Sequence, residues 1–185
     1  MQSIGKKLLS LAVALLFFSG TVRADSAAGS DTAWETYIRS QKEIQVAFHH
    51  LVRLYLHDLK ETIEMSRDLE LAKADQKSER FYFLVKYAPE RIVRNQGFRA
   101  FVNFPWVPAD EDALRKESKT FRKREKKITE WQSRLDASPD FKKVLQKLQE
   151  LQPTPEYNRI QIRFRSVPKD VESLLGGAPP GQVTA

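Results

Sequence analysis

The chain has 185 residues, no cysteine and a formal net charge of +7 at pH 7. That length fits one domain, which can bury a sufficient core without cross-links, and the lack of cysteine excludes disulfides even in an oxidising compartment. The basic excess is modest, so it does not by itself predict nucleic-acid binding.

The first 24 residues are typical of a secretory signal peptide. A pair of lysines precedes the apolar run Leu8–Phe18, which is too short for a stable transmembrane anchor, and Val22 and Ala24 fit a cleavage motif. Arg23, inside that motif, is the one residue that favours an uncleaved anchor. Because three of the 31 basic residues precede the site, cleavage after Ala24 leaves 28 Lys and Arg against 24 Asp and Glu, a net charge of +4. We therefore expect a periplasmic or secreted protein.

The composition changes at both ends of the remaining chain. Residues 25–31 are small and polar, and residues 177–185 are rich in small residues, glycine and proline. Both compositions are typical of segments that do not pack, so we expect a flexible leader and a disordered tail. Residues 32–176 are the predicted helical domain.

Residues 32–74 contain neither proline nor glycine, and their apolar residues recur at helical spacing. Thr32 and Glu35 have the spacing of a capping box at the helix start. A continuous helix of this length would extend about 60 Å. Because such a helix is not stable alone in water, its apolar stripe must pack on other helices. Residues 51–59 carry apolar side chains on more than one face and are predicted to be the most enclosed part.

The segments that follow predict shorter helices, with proline or a capping residue between them. Ser138-Pro139 and Thr154-Pro155 are typical helix starts, and Gly97 is typical of a helix end. Residues 160–164 alternate in a way that also fits a strand, but no second strand is present to pair with them, so we expect a helix. The predicted helices cover residues 78–87, 89–95, 110–135, 139–152, 155–167 and 168–175.

The segment 110–135 has a narrow apolar seam that repeats every seven residues. Such a seam predicts antiparallel packing against the long N-terminal helix. The seam residues are Leu114, Phe121, Ile128 and Leu135. The expected fold is therefore a single all-α domain, in which a long N-terminal helix packs against a second long helix and several short ones.

Catalytic and metal-binding patterns are hard to find in this sequence. His50 and His57 lie two turns apart on one predicted helix face, and Glu61 and Glu64 continue that face. However, no Glu-x-x-His or His-Glu-x-x-His spacing is present, and there is no nucleophile elbow or glycine-rich phosphate loop. We expect no catalytic residue, no metal site and no cofactor.

The segment Arg115–Lys127 carries eight basic residues against two acidic ones, a local charge of +6. One hypothesis is a docking face for an anionic surface or an acidic partner. The other is a solvated helix face whose charges pair with neighbouring helices, including the acidic end of the long helix. The candidate contact residues are Lys119, Arg122, Lys123 and Lys126.

The connection Phe98–Pro108 is unusually aromatic, and its two prolines exclude a helix through its second half. If the aromatic side chains fold inward, they close the helix ends. If they stay exposed, they form a surface for a partner protein or a membrane interface. These candidate contact residues are Phe98, Phe101, Phe104 and Trp106.

These patterns favour binding over catalysis. We expect an exported, non-enzymatic accessory protein of the cell envelope, such as an adaptor or a chaperone. Its partner would be another protein or an anionic envelope component, with peripheral membrane contact included and nucleic acid not expected. The alternatives are docking to anionic lipid or polymer through Arg115–Lys127, and a small helical enzyme with a site near His50 and His57.

Overall fold

A computed structural model of the protein describes residues 27–176, which form one all-α domain with seven α-helices and no strand in that range. The predicted signal peptide, residues 25 and 26 of the predicted leader and the predicted tail lie outside the described residues. Short 3₁₀ helices occur at His57–Leu59 and Pro89–Arg91. The α-helices are α1 (Ala27–Arg53), α2 (Lys60–Tyr87), α3 (Gly97–Val102), α4 (Pro108–Glu117), α5 (Lys119–Ala137), α6 (Pro139–Leu151) and α7 (Pro155–Leu174).

The first two helices form an antiparallel hairpin, so the prediction of one continuous helix over 32–74 is wrong. The chain leaves helical geometry at residues 54–56, where Leu56 has φ −128° and ψ 67°. Trp34 Nε1 donates a hydrogen bond to Ser78 Oγ across the hairpin at 3.2 Å. The reversal packs one part of the apolar stripe on another, a long-range contact that local periodicity does not reveal.

The hairpin turn also corrects two finer expectations. Leu51 and Val52 are buried as predicted, but Leu54 and Tyr55 are 54% and 51% exposed, so residues 51–59 are not uniformly enclosed. At the other end, α1 begins at Ala27, ahead of the predicted capping box, so Thr32 lies inside the helix and most of the predicted leader is helical.

The hairpin is the centre of the domain. Helix α7 packs along α1, and α5 packs along α2. Helix α6 contacts both hairpin helices near their turn, α3 packs against α7, and α4 packs against α5. The predicted packing of the second long segment on the N-terminal segment is therefore confirmed for α5 and α2.

Two groups of buried side chains form the core. The first lies at the open end of the hairpin, where the Trp34 and Phe81 rings stack at 4.0 Å and Phe101 packs edge-on against both. The second lies near the hairpin turn. Ile160 on α7 packs against both groups, which joins them into one core. The second group comprises Leu51, Val52, Ile63, Leu69, Leu135, Phe141, Val144 and Leu151.

The predicted helix starts at Ser138 and Thr154 are confirmed. Ser138 Oγ accepts a hydrogen bond from the Phe141 N–H at 3.4 Å, and Thr154 Oγ1 accepts one from the Tyr157 N–H at 3.3 Å. Residues 160–164 are helical within α7, as expected. Pro168 starts no new helix there: it lies inside α7, which continues to Leu174.

Other predicted boundaries are wrong. Ser78 does not cap a new helix, because it lies inside α2 and its hydroxyl serves the Trp34 indole. The predicted helix at 89–95 is only the 3₁₀ turn at Pro89–Arg91. Gly97 has the left-handed conformation expected of a helix-terminating glycine, with φ 81°, but it begins α3. The predicted helix at 110–135 is two helices, α4 and α5.

Candidate functional site

Ser118 sets the orientation of the basic segment. Its hydroxyl accepts a hydrogen bond from the Phe121 N–H at 3.0 Å and caps α5, while its own N–H donates to the Leu114 carbonyl at 2.8 Å and closes α4. Phe121 and Leu135 are almost fully buried, and Ile128 packs against the second core group. With that stripe turned inward, the opposite side of α5 faces solvent.

The arginines of the basic segment are largely used within the protein. Arg115 donates to both carboxylate oxygens of Glu125, from Nε at 2.8 Å and 3.1 Å and also from Nη2, and its Nη1 donates to Asp112 at 3.1 Å. Arg124 forms an ion pair with Glu79 of α2. The charges of these two arginines are therefore compensated inside the fold, although not by the acidic residues at 61–70.

The Arg115–Glu125 pair also couples α4 to α5 electrostatically. The hydrogen bonds from Arg115 hold the pKa of the Glu125 carboxyl below its usual value, and those same bonds raise the pKa of Arg115. Both groups stay ionised at neutral pH, so the pair fastens the start of α5 to α4.

Arg122 has a structural role that its sequence position does not reveal. Its Nη1 donates to the backbone carbonyls of Arg115 and Lys116, the latter at 3.4 Å. These carbonyls lie in the last turn of α4, where they lack helical partners. Arg122 is therefore part of the α4 C-terminal cap as well as an exposed cation.

The remaining predicted contact residues of the basic segment form what we call the lysine face: Lys119, Lys123 and Lys126. All are exposed, and none has a hydrogen bond or carboxylate partner within the described part of the chain. Their spacing places them on one side of α5, opposite Phe121. Glu130 follows on the same side and ends the run of positive charge.

A shallow polar hollow adjoins the lysine face. Its volume is about 500 Å³, and it is lined along α5 by side chains from Arg122 to Ser133, including Lys126 and Thr129. Two cations, two carboxylates and two hydroxyl groups line it, on a solvent-facing helix. Its charges are therefore balanced, and the hollow itself adds nothing to the positive charge of the lysine face.

The aromatic connection folds inward. Phe101 is fully buried, Phe104 is 8% exposed, and Phe98 and Trp106 are half-buried against the first core group. Trp106 Nε1 also donates a hydrogen bond to Glu111 at 2.5 Å. These side chains complete the core at the open end of the hairpin, so they do not provide the exposed aromatic surface that a chaperone or adaptor role would require of them.

The histidines do not converge. His50 and His57 are both exposed, and the described residues contain no group of His, Asp or Glu side chains arranged to hold a metal ion. The histidine that sequence reasoning missed is His49, which is 7% exposed. Its position three residues before Val52, on the apolar stripe, was the available signal.

His49 links α1 to α2. Its Nδ1 lies 2.7 Å from the Gln45 carbonyl oxygen, and its Nε2 lies 3.0 Å from Ser66 Oγ. The carbonyl can only accept, so Nδ1 carries the proton and Nε2 accepts from the serine hydroxyl. Burial lowers the pKa of the His49 imidazole, partly offset by its bond to Gln45. The serine is itself buried within α2, so this pair is a structural contact.

A larger groove lies between α1 and α2. Its volume is about 760 Å³, with Ile38, Ala47 and Leu71 among its apolar lining and charged α1 side chains along its edge. His50, at one end, is the only histidine in the groove lining. Sequence reasoning did not find this groove, because it exists only after the chain reverses at residues 54–56.

No helix among the described residues is long and apolar enough to cross a membrane. No protein-family model, no curated protein and no solved structure matches the chain. The geometry of the site is therefore the basis for proposing a function.

Proposed function

We propose that the protein is an exported, non-enzymatic docking protein that binds anionic phospholipid surfaces of the cell envelope through the lysine face of α5. The observation that carries the proposal is the separation of charges in the basic segment. Arg115 and Arg124 pair with carboxylates within the fold and Arg122 caps α4. Lys119, Lys123 and Lys126 instead project from one side of α5 without partners among the described residues.

The chemistry of this face fits a membrane surface better than a folded protein partner. Ammonium groups on flexible stems act as point charges and do not require a partner of fixed shape. The face has no exposed aromatic anchor of the kind that dominates protein interfaces, since Phe121 and Leu135 point into the core. Each lysine near an anionic membrane contributes about 1 kcal/mol of attraction.

The N-terminal pattern predicts export, and export determines which anionic surfaces the lysine face can meet. A chain with a secretory signal sequence meets lipid headgroups and envelope polymers, and rarely nucleic acid. The aromatic residues at Phe98–Trp106 no longer support a chaperone role because they complete the core. The enzyme alternative has little support at His50 and His57, since both are exposed and belong to no cluster of possible metal ligands among the described residues.

The test is co-sedimentation of the protein with vesicles of phosphatidylglycerol and phosphatidylcholine, compared with phosphatidylcholine alone. We expect binding only to the anionic vesicles, with a steep loss between 0.01 M and 0.15 M salt as the screening length falls from about 30 Å to about 8 Å. Lys119→Gln/Lys123→Gln/Lys126→Gln should weaken binding by about two orders of magnitude, from about 1 kcal/mol per lysine.

The matched control removes the same number of charges elsewhere. Lys60, Lys142 and Lys169 are exposed lysines outside α5, and Lys60→Gln/Lys142→Gln/Lys169→Gln should bind nearly as the parent does. Arg122 is left in place in both variants because it caps α4. Equal weakening by both triple variants would show that only net charge matters, and salt-independent binding by the parent would remove the proposal.

A further inference from the structure

The groove between α1 and α2 is a second surface whose chemistry identifies a partner. Its α1 side runs from Glu35 to His50, about 22 Å along the helix. Val46 at its edge is 46% exposed, whereas the other apolar side chains described on α1 are buried or half-buried. The groove therefore offers a partly apolar channel, about four helical turns long, to another helix.

We propose that the occupant of this groove is a second copy of the chain, with the two α1 helices antiparallel about a twofold axis between Lys42 and Glu43. Such an axis makes every contact occur twice, so the surface must complement itself. This inference is independent of the lysine face, which uses a different helix.

The order of residues along the groove has this self-complementarity. About the proposed axis, Lys42 faces Glu43 of the second copy, and Glu35 faces His50. Ala47 lies opposite Ile38, which is 8% exposed at the base of the groove and packs mainly in the first core group. In the same arrangement, the aliphatic stem of Arg39 covers Val46 of the second copy and shields it from water.

The charges along the edge of the groove are balanced, whereas the charges of the lysine face are all positive. Arg39 and Lys42 contribute positive charge, and Glu35 and Glu43 contribute negative charge. Arg39 has no carboxylate partner among the described residues and lies within one turn of the position that faces Glu43 of the second copy. A face of uniform sign repels its own copy, whereas a balanced and antiparallel-complementary face attracts it.

Three of these groups already have partners within the chain, since Glu35 accepts a hydrogen bond from the Tyr82 hydroxyl at 3.5 Å. Lys42 pairs with Asp75, and Glu43 pairs with Arg163 at 2.7 Å. The side chains of both pairs are more than a third exposed, and exposed pairs contribute little to stability. Sharing them with a second copy therefore costs the fold little.

The experiment measures the molecular mass of the purified protein by sedimentation at chain concentrations up to about 1 mM, which reveal even weak association. We expect the parent to form a dimer. Lys42→Glu alone and Glu43→Lys alone should each be monomeric, because like charges then meet at the axis. An equimolar mixture of these two variants should form a dimer again, since each supplies the charge that the other lacks.

The control is Lys142→Glu, which makes the same charge change on an exposed face of α6 and should dimerise as the parent does. Helical circular dichroism verifies folding, and Ala47→Arg, which fills the groove, replaces any charge variant that loses helicity. A monomeric parent at the highest concentration, a dimer that neither groove variant disrupts, or a mixture that stays monomeric overturns the proposal.

Discussion

His49 shows how much a single buried polar residue can contribute to this fold. It lies on the apolar side of α1, where its two ring nitrogens bond to the Gln45 carbonyl and the Ser66 hydroxyl. Protonation would remove the acceptor for Ser66 and place a charge in a buried site. The negative charges of Glu70 and Asp68 favour protonation of the His49 imidazole, and the positive charge of Arg67 opposes it.

The first consequence is a dependence of stability on pH. The folded-state pKa of His49 is lowered, so the unfolded chain binds the proton more readily as the pH falls through about 6.5. The contribution of His49 to the free energy of unfolding is therefore fully present above that pH. It declines below that pH, by at most about 1.4 kcal/mol per pH unit. Thermal unfolding between pH 7.5 and pH 5 measures this decline, which His49→Gln should flatten.

Controls separate His49 from the exposed histidines. His50→Gln and His57→Gln remove imidazoles at the surface, so both should keep the parent slope. If the His49→Gln variant shows the same pH slope as the parent, other groups cause the decline and the assignment is wrong.

At the scale of helices, the packing of α5 on α2 decides which basic residues remain free. Phe121 of α5 is fully buried, and the guanidinium of Arg80 from α2 lies 5.9 Å from its ring centroid. Arg124 and Glu79 join the same two helices at their edge. The lysine face points outward because this inner face of α5 is fixed.

Truncation of the buried side chain tests that arrangement. Phe121→Ala should reduce the free energy of unfolding by about 3–5 kcal/mol, because it removes a large buried ring and leaves a cavity. Urea unfolding measures the change. Ile162→Ala on α7 is the control: its side chain is 58% exposed, so the loss should stay within about 0.5 kcal/mol. A loss for Phe121→Ala as small as that of the control would mean that α5 is peripheral.

For the molecule as a whole, the two groups of buried side chains form one continuous core through Ile160. Both hairpin helices contribute to both groups, so neither end of the domain can lose its packing without exposing part of the other. We therefore expect unfolding in a single cooperative transition, as in most domains of this size.

Tryptophan fluorescence tests this expectation. Trp34 and Trp106 report on the first core group, whereas Trp131 packs against the second. In the Trp131→Phe variant, fluorescence follows the first group alone and circular dichroism follows all the helices. Their urea midpoints should coincide. A fluorescence midpoint displaced from the helical one would show that the two ends of the domain unfold separately.

The two proposed surfaces lie on different helices of this single core. The lysine face belongs to α5, and the groove belongs to α1 and α2. Helix α5 packs on α2 through its buried side, so the lysine face takes no part in the groove. Charge changes in the groove should therefore alter association without changing the fold of α5. If both proposals hold, one domain carries two independent binding surfaces.

The sequence by itself determined the helical content and those helix starts at which a capping hydroxyl directly precedes a proline. Ser138-Pro139 and Thr154-Pro155 start helices because a hydroxyl acceptor and a proline satisfy the first turn wherever they occur. The seam from Leu114 to Leu135 likewise predicted the buried side of α5, since residues seven apart share one face of a helix. The basic segment was visible for the same local reason.

The tertiary structure alone decided the reversal at residues 54–56 and the inward folding of Phe101. It also decided that the arginines of the basic segment bond within the fold, whereas the lysine face stays free. No proline or glycine marks the reversal, so its cause is the burial gained when α1 and α2 pack together. Glu79 meets Arg124 only because α5 lies on α2, and the groove exists only between packed helices. Each depends on residues far apart in the chain, whose proximity no local pattern encodes.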